Sequence, residues 1–151
     1  MKKLLAVIIF VCLISVNAHA GDYARAINLG DFTNEVIEQD GSAECYPESG
    51  IEVTNAHYYA LDFNVTDEAG GSAGNCTITY KVSPFSDNSS ADTTAFHDPD
   101  SSSDGNPIAS NVTSGDYYYS FHPVLGRYMQ ICVQTYGDNM TVDNATLVLT
   151  Q

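Results

Sequence analysis

The chain has no tryptophan, and only five lysines and arginines stand against nineteen aspartates and glutamates. That shortage of cations excludes nucleic acid as a partner, because affinity for a phosphate backbone comes from Lys and Arg neutralising it. It excludes anionic membrane surfaces for the same reason. Beyond residue 20 no apolar run approaches the roughly eighteen residues that a membrane-spanning helix needs. No sustained i, i+3, i+4, i+7 apolar stripe occurs there either, so a helical domain is excluded. The catalytic signatures are also missing: there is no Gly-x-Ser-x-Gly elbow, no His-Glu-x-x-His, no phosphate-cradling glycine loop and no Cys-x-x-Cys. Past residue 20 the histidines are His57, His97 and His122. His97 adjoins Asp98, but sequence neighbours on a strand face opposite ways. The expectation is a protein that is not an enzyme.

The first twenty residues read as a signal peptide. Lys2 and Lys3 form a basic start, Leu4 to Ile14 an apolar stretch, and Ala18-His19-Ala20 a small-residue cleavage site. Export by a Sec-type route and cleavage near Ala20 would leave 131 residues, one domain's worth, in a secreted, periplasmic or cell-surface setting. Loss of Lys2 and Lys3 leaves Arg25, Lys81 and Arg127 as the fixed cations and a net charge of −16. Cys12 departs with the signal, and Val11 before it is not the small residue a lipid-attachment site requires. Cys45, Cys76 and Cys132 remain. An oxidising compartment then predicts one disulfide and one spare thiol, with all three pairings open.

What fills the rest of the chain is alternation. Tyr59, Leu61, Phe63 and Val65 share one face of a strand over 57–65, and Cys76, Ile78, Tyr80 and Val82 one face of a strand over 76–83. Tyr117, Tyr119 and Phe121 define a third strand, over 116–122. Met129, Ile131 and Val133 mark the inward side of a fourth, over 127–136, and Ala145, Leu147 and Leu149 that of a last strand, over 141–150. Shorter strands are predicted at 23–29, 32–38 and 51–54. Gly70-Gly71, Gly74-Asn75, Pro123 to Gly126 and Gly137-Asp138-Asn139 supply turns. The fold class predicted is all-β: an antiparallel β-sandwich, jelly-roll-like, of about seven to nine strands. Its expected organisation is a signal at 1–20, N-terminal strands at 21–56 able to act as an edge or donor segment, and a sandwich core at 57–151. A long Ser/Asp-rich loop, 86–106, interrupts that core. Phe85 and Phe96 are its expected anchors, and Thr93 to Phe96 is a candidate hidden strand.

The run from Tyr117 to Gln151, with Gly-Arg-Tyr-Met-Gln-Ile at 126–131 followed by a hairpin and a closing strand, resembles jelly-roll β-sandwich modules of phage virion proteins and bacterial surface or appendage proteins. With the preceding strands the resemblance covers residues 57–151. It implies an assembly or adhesion module and brings no catalytic residues. A signal peptide departs from the virion members, whose parts assemble in the cytoplasm.

Three features could carry binding. Asp100-Ser101-Ser102-Ser103-Asp104-Gly105 matches the opening of a calcium loop. Its continuation departs, because Pro107 replaces an apolar residue and Asn111 replaces the bidentate Glu. An irregular site would use Asp98, Asp100 and Asp104, with Asp92 as a further ligand; a solvated Ser/Asp loop is the simpler reading. Tyr58, Tyr118, Tyr128 and Tyr136 would form an aromatic platform for sugars or protein if they share an outer face. Six Asn-x-Ser/Thr triplets begin at Asn64, Asn75, Asn88, Asn111, Asn139 and Asn144, a pattern that turn Asn before strand Thr also produces. The leading expectation is a secreted, non-catalytic β-sandwich serving as a surface-assembly subunit, in an appendage or filament, or as an adhesion module. Its partners would be copies of itself or other surface proteins. The alternative is a small calcium-assisted carbohydrate-binding module that takes a glycan.

Overall fold

Alternating apolar residues close into two antiparallel sheets that face each other across one core. A computed structural model of the chain describes residues 24–32, 34–39, 41–68, 74–84, 96–99, 107–123 and 126–150. Nine strands occur among them: β1 (Ala24–Asn28), β2 (Glu35–Ile37), β3 (Glu44–Glu52), β4 (Tyr58–Asp67), β5 (Asn75–Ser83), β6 (Ala109–Val112), β7 (Gly115–Phe121), β8 (Tyr128–Tyr136) and β9 (Met140–Thr150). The first sheet runs β1-β9-β4-β7, with β2 also on β9; the second runs β3-β8-β5-β6. Counting β1 and β2 as one interrupted strand, the orders become first-eighth-third-sixth and second-seventh-fourth-fifth. Two Greek keys wound this way are a jelly roll.

The inward faces are those that alternation predicts. Leu61, Phe63, Val65, Ile78, Met129, Ile131, Val133 and Leu147 have no exposed surface. Tyr117, Tyr119 and Phe121 of β7 are half-buried against this core. Each fully buried side chain of this size contributes about 1.5–3 kcal/mol. Ser83, Gln130 and Thr135 are the buried polar residues among those described; the Thr135 hydroxyl is shared between Ile37 O at 3.2 Å and Glu38 O at 2.8 Å. Those bonds, with a parallel bridge between Gln39 and Thr135, carry the chain from the first sheet to the second.

The N-terminal strands differ from expectation. In place of one strand over 32–38 there is a 3₁₀ turn, Gly30–Phe32, and the short β2. Phe32 closes the end of the core, its ring centroid 4.4 Å from that of Tyr46. Asn34, at φ 64°, turns the chain into β2. β1 and β2 pair with β9 of their own chain, and β3 pairs with β8. Leu29, Phe32, Ile37, Ile51, Val53 and Ala56 belong to the same core as the later strands, so residue 56/57 is no structural boundary.

β3 begins well before the predicted 51–54. Pro47 and Gly50 inside Glu44–Glu52 read as turn residues, and the register with β8 does slip between Tyr46 and Ile51. The bulge is held by Gln130, whose amide donates to Pro47 O at 3.2 Å and Glu48 O at 2.9 Å. β6 carried no alternation and was not anticipated. The turn at Gly137-Asp138-Asn139 joins β8 to β9 as expected, with Gly137 at φ 84°. Gly70-Gly71, Phe85 and Thr93 to Ala95 lie outside the described residues. Among the described residues no helix is long and apolar enough to cross a membrane.

Candidate functional site

Register decides which side chains meet on the outer faces. On the first sheet Tyr58 and Tyr118 stand 68% and 65% exposed. Tyr118 lies opposite Asp62, four residues along β4 from Tyr58. Tyr128 and Tyr136 lie at opposite ends of β8, on the outer side of the second sheet. The four tyrosines therefore do not share a face: two belong to each sheet, because β4 and β7 are neighbours while β8 lies across the core. Much of the first sheet's outer polarity is internally paired. Asn64 donates to Asp116, Thr66 donates to Asp143, and the Thr141 hydroxyl donates to Glu68 at 3.2 Å.

The second sheet presents a different surface. A trough of about 620 Å³ lies on its outer side, within the range of roughly 300–1,000 Å³ typical of ligand sites. Its floor is the outward row of β5: Asn75, Thr77, Thr79 and Lys81. Ser110 and Asn111 of β6 form one wall, and Gln134 and Tyr136 of β8 the other; Ala43, Asp98 and Pro107 complete the rim. Register explains the assembly, since Asn75 pairs with Tyr136, Thr77 with Gln134 and Thr79 with Cys132.

Two of these side chains are fixed. The Gln134 amide donates to Gly41 O at 3.1 Å, and its carbonyl accepts the Tyr136 hydroxyl at 2.8 Å. The Tyr136 ring, 39% exposed, is thereby held at the end of the trough. By contrast, the side chains of Asn75, Thr77, Thr79, Ser110 and Asn111 form no hydrogen bond with another described residue. Asn111 sits at φ 56°, the left-handed region that Asn tolerates better than most residues.

Cys45 and Cys132 form the disulfide, directly opposite one another across β3 and β8. Cys132 points outward beside Thr79, so the cross-link braces the sheet under the trough. Cys76 is the free thiol; it points into the core, where burial pushes it up to about 12. Burial also raises the Tyr59 and Tyr119 hydroxyls, and for Tyr119 the neighbouring Tyr117 and Cys76 add to the effect.

Of the predicted calcium residues, Asp98 is exposed on the trough rim. Asp92, Asp100 and Asp104 lie outside the described residues. Phe96, the expected anchor, does pack: an added Cβ at Gly50 would come within 2.3 Å of its ring. His97 then bridges to Val82, with reciprocal backbone bonds of 3.0 Å, and this places Asp98 at the rim. Among the described residues no three His, Cys, Asp or Glu side chains converge to hold a metal. Arg127 is engaged elsewhere, 3.3 Å from Glu52 and over the Tyr128 ring. Thr77, Thr79 and Lys81 stand on the face of β5 opposite Cys76, Ile78, Tyr80 and Val82, and neither they nor Ser110 and Gln134 are singled out by any sequence motif. A cation following two threonines at i+2 spacing, in a cation-poor chain, is the available signal.

No protein-family model matches the chain, and no curated protein does. Among solved structures it is similar to the infectious bursal disease virus VP2 subviral particle, at 11% identity and a TM-score of 0.46 over 87% of this chain and 33% of that one. It is also similar to the structure of the infectious bursal disease virus Gt strain, at 12% identity and a TM-score of 0.42 over 87% and 32%. The chain thus spans about a third of the length of the chains it matches.

Proposed function

We propose that the protein is an exported adhesion module, a non-catalytic jelly roll that holds a partner at a surface through the outer face of β3-β8-β5-β6. The observation that carries this is the trough: polar side chains uncommitted to other described residues, over a disulfide-braced sheet, beside a tyrosine locked in place. Sites placed on rigid strands hold their geometry better than sites on loops. The Cys45–Cys132 disulfide accords with an oxidising compartment and so with export. The test is labelling of intact bacterial cells by the fluorescent chain from residue 21 onward, with and without calcium. Wild type should label cells and Thr79→Arg, which fills the trough, should not. Equal labelling by both, or by neither, contradicts the reading. Loss of labelling on calcium removal would bring Asp98, Asp100 and Asp104 into the site; retention would remove them.

A second reading, as an assembly subunit, is favoured by Tyr58 and Tyr118 beside β7. That strand pairs with β4 on one side and with no described strand on the other. An unpaired edge is a template for another chain, and Gly115–Phe121 has neither Lys nor Pro to block it. Sedimentation across a wide concentration range separates the readings. Self-association lost in a Tyr58→Ser/Tyr118→Ser variant supports assembly, and a monomer throughout removes it.

A further inference from the structure

We propose that the trough on β3-β8-β5-β6 is a binding site for a short neutral oligosaccharide. The inference rests on the adhesion reading and names its ligand class. Three observations lead to it. The first is chemical: each Asn amide offers two donors and an acceptor, and each Thr or Ser hydroxyl offers both roles. Asn75, Thr77, Thr79, Ser110 and Asn111 present these groups free of other described residues. A ligand that matches such a surface must itself be dense in groups that donate and accept, as sugar hydroxyls are.

The second is electrostatic. Among the described residues, Lys81 and Asp98 are the charged ones lining the trough, and their signs cancel. The chain as a whole carries −14. Acidic sugars, phosphates and nucleic acid meet a repulsive molecule, and a polycation finds more acid elsewhere on it. A neutral ligand loses nothing to either field. The third is shape. The Tyr136 ring is fixed by Gln134 at one end, where it offers apolar area plus a polar tip to the C–H face of a sugar. Because the floor is a sheet face, it offers side chains and no ladder of backbone groups. A peptide added as an extra strand is therefore not served here.

Calorimetry tests the proposal. The chain from residue 21 onward, disulfide-oxidised, is made in a bacterial host so that the triplets at Asn75 and Asn111 remain unmodified. It is titrated with neutral linear tri- and tetrasaccharides of glucose, mannose, xylose and galactose, and with uronic-acid counterparts. At least one neutral saccharide should bind, and its uronic-acid counterpart should bind more weakly. Tyr136→Ala should weaken that binding roughly tenfold or more, in keeping with loss of an aromatic anchor. Thr79→Arg should abolish it, and Tyr58→Ser/Tyr118→Ser should leave it unchanged. Circular dichroism checks that each variant is folded, and Gln134→Ala, which frees the Tyr136 ring, serves as a milder second probe. Absence of binding by every neutral saccharide, a preference for the acidic ones, or binding indifferent to Thr79→Arg and Tyr136→Ala would overturn the proposal. If no neutral saccharide binds but Thr79→Arg still abolishes cell labelling, the oligosaccharide falls and the adhesion reading stands. If labelling is also unaffected, both fall.

Discussion

At Gly50 the backbone takes φ +71°, and a Cβ there would meet the Phe96 ring at 2.3 Å. Gly50→Ala is therefore penalised twice, by the left-handed conformation and by the ring. The expected loss of stability is about 1–3 kcal/mol, read by chemical denaturation. In a Phe96→Ala background most of the steric share should go, leaving the Tyr128 Cβ at 3.2 Å, and the loss should shrink. Cys76 makes a second prediction. Its folded-state pKa of about 12 lies above the ordinary 9.0, so the native state holds the proton more tightly than the unfolded chain does. The stability this provides is complete below 9.0 and is lost as pH climbs toward about 12. The denaturation midpoint should thus fall across that window, and less steeply in Cys76→Ala. Tyr59 and Tyr119, also raised by burial, add to the slope that remains. An iodoacetamide probe should leave Cys76 unmodified in the folded protein and react with it once denatured.

Among the elements, β3 is held by side chains from outside its own sequence. Its bulge is held by the Gln130 amide on Pro47 O and Glu48 O, and its first half by the bond from Cys45 to Cys132. Gln130→Leu should cost about 1–3 kcal/mol by leaving those carbonyls without their donor. Reducing the disulfide, whose cysteines lie 87 residues apart, should cost about 2–5 kcal/mol. It should also weaken any ligand of the trough, because Cys132 lies beside Thr79. These dependences explain what the sequence made legible. β4, β5, β7, β8 and β9 each bury one face against the core, and burial of one face is what writes alternation into a chain. β3 contains Pro47 and Gly50, and β6 has Asn111 in a left-handed conformation, so neither carries that pattern. The pairing of Cys45 with Cys132 was hidden for a related reason: it follows from the register of β3 on β8.

At the scale of the whole molecule the jelly-roll winding sets what can be near what. It puts β5 between β6 and β8, and so gathers Asn75, Asn111 and Gln134, far apart in sequence, around one trough. It also separates Tyr58 and Tyr118 from Tyr128 and Tyr136, which strand alternation groups only if their strands share one outer face. The platform expected from tyrosines thus gives way to a polar trough with one fixed ring. The most direct test of this assignment is backbone amide chemical-shift mapping of the isotopically labelled chain during titration with whichever saccharide calorimetry selects. Shifts confined to β5, β6 and the Gln134–Tyr136 end of β8 are predicted. Shifts centred on Tyr58 and Tyr118, or none at saturating ligand, would contradict the account.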